Sequence, residues 1–310
     1  MLQHRTIALL LLPIIMGCNT DRSINYDELI SIKYVKGEEL PYTGSSIEKY
    51  ENGETKFEAH YENGLLNGTF LNYYENGDKE SETEYLNGKM TGHFINYYEN
   101  GNKQSEGECL NGEIIGHFID YYENGDTKSE GENINGKKEG MWDWYSEDGK
   151  KRIRCNYIND VQNGIHLFWG EDGTKELTEF VDGEMNGPLT VWHPNGKLKE
   201  DTTYVNGQKN GISKTFFNSG ELSSKENFKD GKRSGVAHLY YKGGSTFETF
   251  EYTKGKGNGK QTRYWPNGHI NKSSNWKNGI LVGMEFIYNQ NGTLDIINIF
   301  NNGKIVKYTT

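Results

Sequence analysis

The chain has 310 residues, a net charge of −10 and only 33% hydrophobic residues, below the roughly 45–50% usual for globular domains. Its 13% aromatic content argues against disorder, because disordered chains are poor in aromatics. The scarcity of aliphatic residues argues against a TIM barrel or Rossmann enzyme, and the acidic balance against general nucleic-acid binding through phosphates.

Residues 1–17 read as a signal peptide: a positive N-terminus, then an apolar run over residues 6–17. That run is too short to cross ~30 Å of hydrocarbon as a helix. Ile15-Met16-Gly17-Cys18 resembles a bacterial lipobox. The resemblance implies cleavage before Cys18, diacylation of Cys18 and tethering to a membrane through lipid alone. Asn19 after the cysteine points to the outer membrane, so the expected location is the cell envelope. Residues 18–43 then form the acylated cysteine and a short tether, with a stray strand near residues 30–35.

From Gly44 one unit recurs. Gly68, Gly92, Gly116 and Gly140 are 24 residues apart. The series continues through Gly164, Gly187, Gly211, Gly235, Gly259 and Gly283, every step being 24 except the 23 from Gly164 to Gly187. With the first glycine of a unit numbered 0, a second glycine falls at +9 (Gly53, Gly77, Gly101) and a third at +20 (Gly64, Gly88, Gly112), Asp160 being the exception. Asn or Asp usually precedes both, and Asn-Gly supplies the positive φ of tight hairpin turns. All three glycines are read as turn glycines. The seven to nine residues between turns suit strands and not helices. The expected fold is therefore all-β: an elongated single-sheet antiparallel meander of about 22 strands, built from eleven hairpin units over residues 44–307.

Position +5 is aromatic in nearly every unit, as in Tyr73, Tyr97, Tyr121, Tyr145, Trp169 and Trp192. Position +17 is a second such column, broken by Cys109 and Asn133, and +6 a third, less regular one. Adjacent positions +5 and +6 point to opposite faces of a strand, so both faces carry aromatics. Parity alone leaves open which column faces outward.

The elements G-x-[FW]-x-x-[YW]-Y-E-N-G-x-K and Y-x-N-G-K-x-x-G, as in Gly92–Gly116, resemble the MORN repeat, specifically its bacterial variant. The resemblance implies a twisted single-sheet meander used for protein or membrane association. Some bacterial chains that look like this are labelled antitoxin components. The pattern is worn in units five, six, nine and eleven, where Ser146, Gly170, Gly243 and Asn289 depart from it.

Candidate chemistry is sparse. Cys109 and Cys155 lie four strands apart, ~19 Å, too far for a disulfide. His93 and His117 recur at +1 but are poorly placed to share a metal, so neither metal nor cofactor is expected. Charge is more informative. Residues 44–139 contain 8 Lys+Arg and 20 Asp+Glu, against 22 and 19 in residues 140–310. Glu82 with Glu84, Glu106 with Glu108, and Glu130 with Glu132 form a carboxylate ladder, read as a solvated face, or else as a docking strip for a basic partner or as weak Ca²⁺ sites. The expected function is a non-enzymatic, lipid-anchored array presenting a β surface to a protein partner or membrane, with the aromatic column as contact surface. The rivals are an antitoxin or immunity-type protein and an envelope polysaccharide hydrolase using paired glutamates.

Overall fold

The computed structural model describes residues 2–3, 33–35 and 40–309. Cys18 and nearly all of the expected signal peptide and tether lie outside the described residues. Leu2–Gln3 pairs with Tyr34–Val35. The chain divides into two compact units, Met1–Lys150 and Lys151–Thr310.

From Gly44 onward the described structure is all strand and turn. In the first unit, Gly44–Lys49, Thr55–Glu62, Gly68–Tyr73, Lys79–Leu86, Lys89–Tyr97, Lys103–Leu110, Glu113–Tyr121, Thr127–Ile134 and Lys137–Tyr145 form an open antiparallel meander, each strand hydrogen-bonded to its sequence neighbours. The second unit repeats the pattern from Lys151–Ile158 to Lys304–Thr309.

The two turns of each repeat differ. At Asn63-Gly64 both residues have positive φ, 49° and 78°, and the flanking Glu62 and Leu65 pair directly. This is a two-residue hairpin loop whose handedness matches strand twist. At the other end the Gly53 amide donates to the Tyr50 carbonyl (3.0 Å) and the Tyr50 amide to the Glu54 carbonyl (2.9 Å). That is a three-residue loop closed by a left-handed glycine. There Asn52 needs no positive φ. Its Oδ1 accepts from the Glu54 amide at 2.9 Å, as Asn side chains in turns do. The expectation that Asn-Gly plays one role at both turns is therefore corrected.

The first glycine is not a turn residue at all. Thr83 faces Phe94 and Tyr85 faces Met90, so the strand runs through two extra residues at Gly92, whose φ is 72°. Such an irregularity bends the strand and sharpens its twist. The single 23-residue step is absorbed locally. In other repeats the register shifts beside the three-residue loop, as between Asn96 and Tyr97. The Gly164–Trp169 pairing with Lys175–Phe180 runs without a shift, so the missing residue is the bulge residue and the turn survives.

One sheet face is packed. Phe57 and Phe70 lie 5.5 Å apart, Phe94 and Phe118 6.3 Å, and Phe118 and Trp142 6.2 Å. Phe57 is at +13 and the other rings at +2, where Phe94, Phe118 and Trp142 need small residues opposite. A Cβ on Gly131 would sit 2.4 Å from the Trp142 ring, and one on Gly107 3.2 Å from Phe94 and Phe118. The rings of Phe94, Phe118 and Trp142 thus lie on bare backbone, whereas Phe70 faces Thr83, and Trp142 is only 1% exposed. Cys109 and Cys155 are buried thiols, Cys109 beside this row through its pairing with Gly92. In the second unit the same column reads His166, Leu189, Ser213, Ala237, Gln261 and Glu285. Polar bonds join ring packing there, with His166 5.5 Å from Phe180 and Phe250 5.4 Å from Trp276. Gln261 Nε2 and Arg263 Nε donate to Glu248 at 2.6 and 2.7 Å, and Trp276 Nε1 donates to Gln261 Oε1 at 2.9 Å. Lys272 pairs with buried Glu285 at 2.6 Å, so that carboxylate is not left uncompensated.

Candidate binding face

Along Lys103–Leu110, Ser105, Gly107 and Cys109 are buried, while Glu106 is half-buried and Glu108 and Leu110 are exposed. Thr127–Ile134 repeats this with Ser129, Gly131 and Asn133 against Glu130, Glu132 and Ile134. Strand alternation therefore puts the glutamates on the face opposite the ring stack. The pairing of Ile95 with Glu106 and His93 with Glu108 brings Tyr97, two residues beyond Ile95, to the glutamate face as well. Tyr73, Tyr97, Tyr121 and Tyr145 thus share one face with Glu82, Glu84, Glu106, Glu108, Glu130 and Glu132, the point that parity left open. All four tyrosines are half-buried. Trp169 and Trp192 hold the same repeat position in the second unit. Beside Trp169 the +14 glutamate has no counterpart, since Leu177 faces Leu167 where Glu106 faces Ile95, but the +16 one does, Glu179 facing Ile165 as Glu108 faces His93.

The two glutamate rows differ in what they touch. Glu106 accepts from Lys103 at 2.6 Å and from the Tyr121 hydroxyl at 2.5 Å, and His93 Nε2 lies 3.9 Å away. Burial works against the Glu106 charge, but the bonds from Lys103 and Tyr121 outweigh it and hold the carboxyl below its usual range. Burial together with the Glu106 carboxylate pushes the Tyr121 hydroxyl up. Glu130 repeats the arrangement with Tyr145 at 2.5 Å and His117 at 4.0 Å, and Glu82 pairs with Lys79 at 2.8 Å. The +16 row, Glu84, Glu108 and Glu132, is exposed and forms no ion pair among the described residues. A shallow groove of about 270 Å³ is lined by His93, Glu106, Glu108, His117 and Ile119.

The irregular +6 column holds neighbouring repeats together. The hydroxyls of Tyr50, Tyr74, Tyr98 and Tyr122 donate to the carbonyls of Tyr73, Tyr97, Tyr121 and Tyr145 at 2.6–2.8 Å. In the second unit Tyr241 and Trp265 do the same toward Tyr264 and Tyr288. His193 substitutes for the aromatic donor, its Nε2 lying 3.0 Å from the Phe216 carbonyl. The turn asparagines add a parallel link: Asn52 Nδ2 donates to Glu75, Asn100 to Glu123 and Asn124 to Glu147. Sequence reasoning saw these columns but not the bonds. The available signal was the hydrogen-bond donor shared by Tyr, Trp and His at one repeat position.

No curated protein matches the chain. Seven segments, residues 42–63, 66–87, 90–108, 138–159, 185–206, 209–230 and 258–278, match the MORN repeat variant. The third match stops at Glu108, just before Cys109 takes the aromatic +17 place, and the following unit, where Asn133 takes it, is unmatched. Units six, nine and eleven are unmatched as their wear predicts, whereas unit five, which carries Ser146, is matched. Over those seven segments the chain is similar to the MORN repeat variant.

Proposed function

We propose that the chain is a non-catalytic binding array, held at the cell envelope by lipid on Cys18, that offers the glutamate face of its first unit to a protein partner. The observation that carries this reading is the row Glu84, Glu108 and Glu132, exposed and without ion pairs among the described residues. Exposed charge of one sign steers an oppositely charged partner and fixes its register. A membrane rich in anionic lipid would be repelled by the same row, so it supports a protein partner over a bilayer on this face.

The electrostatics favour binding over catalysis. A paired-carboxylate hydrolase needs one acid with a raised proton affinity. Glu106 is shifted the other way and is already engaged by Lys103 and Tyr121. The test uses native membranes. Affinity capture through the full chain is compared with capture through a Glu84→Gln, Glu108→Gln, Glu132→Gln variant. Loss of one stoichiometric partner in the variant supports the reading, and unchanged capture refutes it. Palmitate-analogue labelling that disappears in Cys18→Ser tests the anchor. A cytosolic, unlabelled chain would instead fit the immunity-type role.

A further inference from the structure

We infer that the ligand of this face is a basic segment in polyproline II conformation with Lys or Arg at every third position, an inference that rests on the glutamate face being the partner surface. Glu84, Glu108 and Glu132 occupy one position in three successive repeats, and two strand spacings separate each from the next. They therefore recur about every 10 Å across the sheet. A polyproline II helix has three residues per turn and rises ~3.1 Å per residue, so every third side chain returns to one side after ~9.3 Å. A strand returns its side chains to one face after ~6.7 Å, and an α-helix after ~5.4 Å. The strand misses the carboxylate period, and the helix meets it only with cations two turns apart, about 10.5 Å, whereas polyproline II meets it at every turn.

The second row of contacts fits the same ligand. Leu86, Leu110 and Ile134, two residues beyond the glutamates on the same face, are 55%, 53% and 57% exposed. They form an aliphatic row ~7 Å from the carboxylate row. A ligand with cations along one edge and proline rings along the next meets both rows at once. Between Glu108 and Ile119, the groove that His93 and His117 also line receives the methylene stem of a lysine beside an apolar side chain. Charge complementarity selects the basic ligand: residues 44–139 hold 20 acidic against 8 basic side chains.

The test is fluorescence anisotropy on the full chain with two labelled peptides of identical composition. One has four Lys-Pro-Pro triplets, and in the other the lysines are moved to irregular spacing. The regular peptide should bind about tenfold more tightly, since three in-register rim charges each add a few-fold. Glu84→Gln, Glu108→Gln, Glu132→Gln should remove that preference. A variant losing the same charge from exposed Glu147, Glu171 and Glu184 should keep it. Equal affinity for both peptides would overturn the spacing inference while leaving the face a general acidic docking surface. Failure of both peptides to bind above a neutral Ser-Pro-Pro control would overturn the basic-ligand inference. The wider reading fails separately, if native capture ignores the glutamate variant.

Discussion

The hydroxyl of Tyr98 donates to the main-chain carbonyl of Tyr121 at 2.8 Å, twenty-three residues further along the chain. The bond joins one repeat to the next, and Tyr50, Tyr74 and Tyr122 repeat it in the first unit. In a repeat protein, stability is a sum of unit and nearest-neighbour terms, so this contact belongs to the neighbour term. Tyr98→Phe keeps the ring and removes the donor, and should cost about 1 kcal/mol. Because arrays depart from two-state unfolding, the measurement is native-state hydrogen exchange. The amides of residues 89–134 should lose protection while those of residues 256–288 keep it.

The ring-over-glycine packing predicts a sharp asymmetry. A Cβ at Gly131 meets the Trp142 ring at 2.4 Å, whereas one at Gly107 meets its nearest ring atoms at 3.2 Å. Gly131→Ala should therefore destabilise the first unit by about 2–3 kcal/mol, and Gly107→Ala by less than about 1.5 kcal/mol. Urea midpoints of the two variants, with tryptophan emission as probe, check the order.

Asp120 stands where two other repeats have asparagine. Asn72 Nδ2 donates to Ser81 Oγ at 3.1 Å and Asn96 Nδ2 to Ser105 Oγ at 2.9 Å. At Asp120 the serine must donate instead, at 3.4 Å from Ser129. Burial holds the Asp120 carboxyl above its ordinary value of 3.8, with Lys128 and Ser129 opposing. A raised acid binds its proton more tightly in the folded state. Its stabilising contribution is thus present below pH 3.8 and lost as the pH rises through the raised value. Asp120→Asn should gain about 1 kcal/mol at pH 7, and the gain should vanish in acid. Urea unfolding across that range measures it.

Among the described residues, Lys254 is the one lysine of positive φ, at 50°, where the other repeats place Asn or Asp. An ordinary side chain pays roughly 1 kcal/mol in that region, which Asn largely avoids. Lys254→Asn should therefore raise the thermal midpoint of the second unit's unfolding, seen by dichroism, without altering binding to the first unit.

The 24-residue period, the two hairpin turns and the aromatic +5 and +17 columns were legible because each position repeats one residue class. The bulge at Gly92 was not, because a glycine of positive φ looks alike in a turn and in an irregular strand. The core face was hidden for another reason. The +2 column is Phe70, Phe94, Phe118 and Trp142 early on but Ser213, Gln261 and Glu285 later, so its burial does not track hydrophobicity. The split of the glutamates into an engaged row and an open row depends on cross-strand neighbours, Tyr121 on Glu106 and Tyr145 on Glu130. Spacing along the chain carries no record of those neighbours.

The central claim, that the open glutamate row is where a partner docks, is tested most directly by site-specific photo-crosslinking in native membranes. A crosslinker at position 84, 108 or 132 should trap the same single species. The same crosslinker at the exposed second-unit positions 171, 184 and 221 should trap none of it. Adducts arising only from the second unit, or unrelated species at the three glutamate positions, would contradict the account.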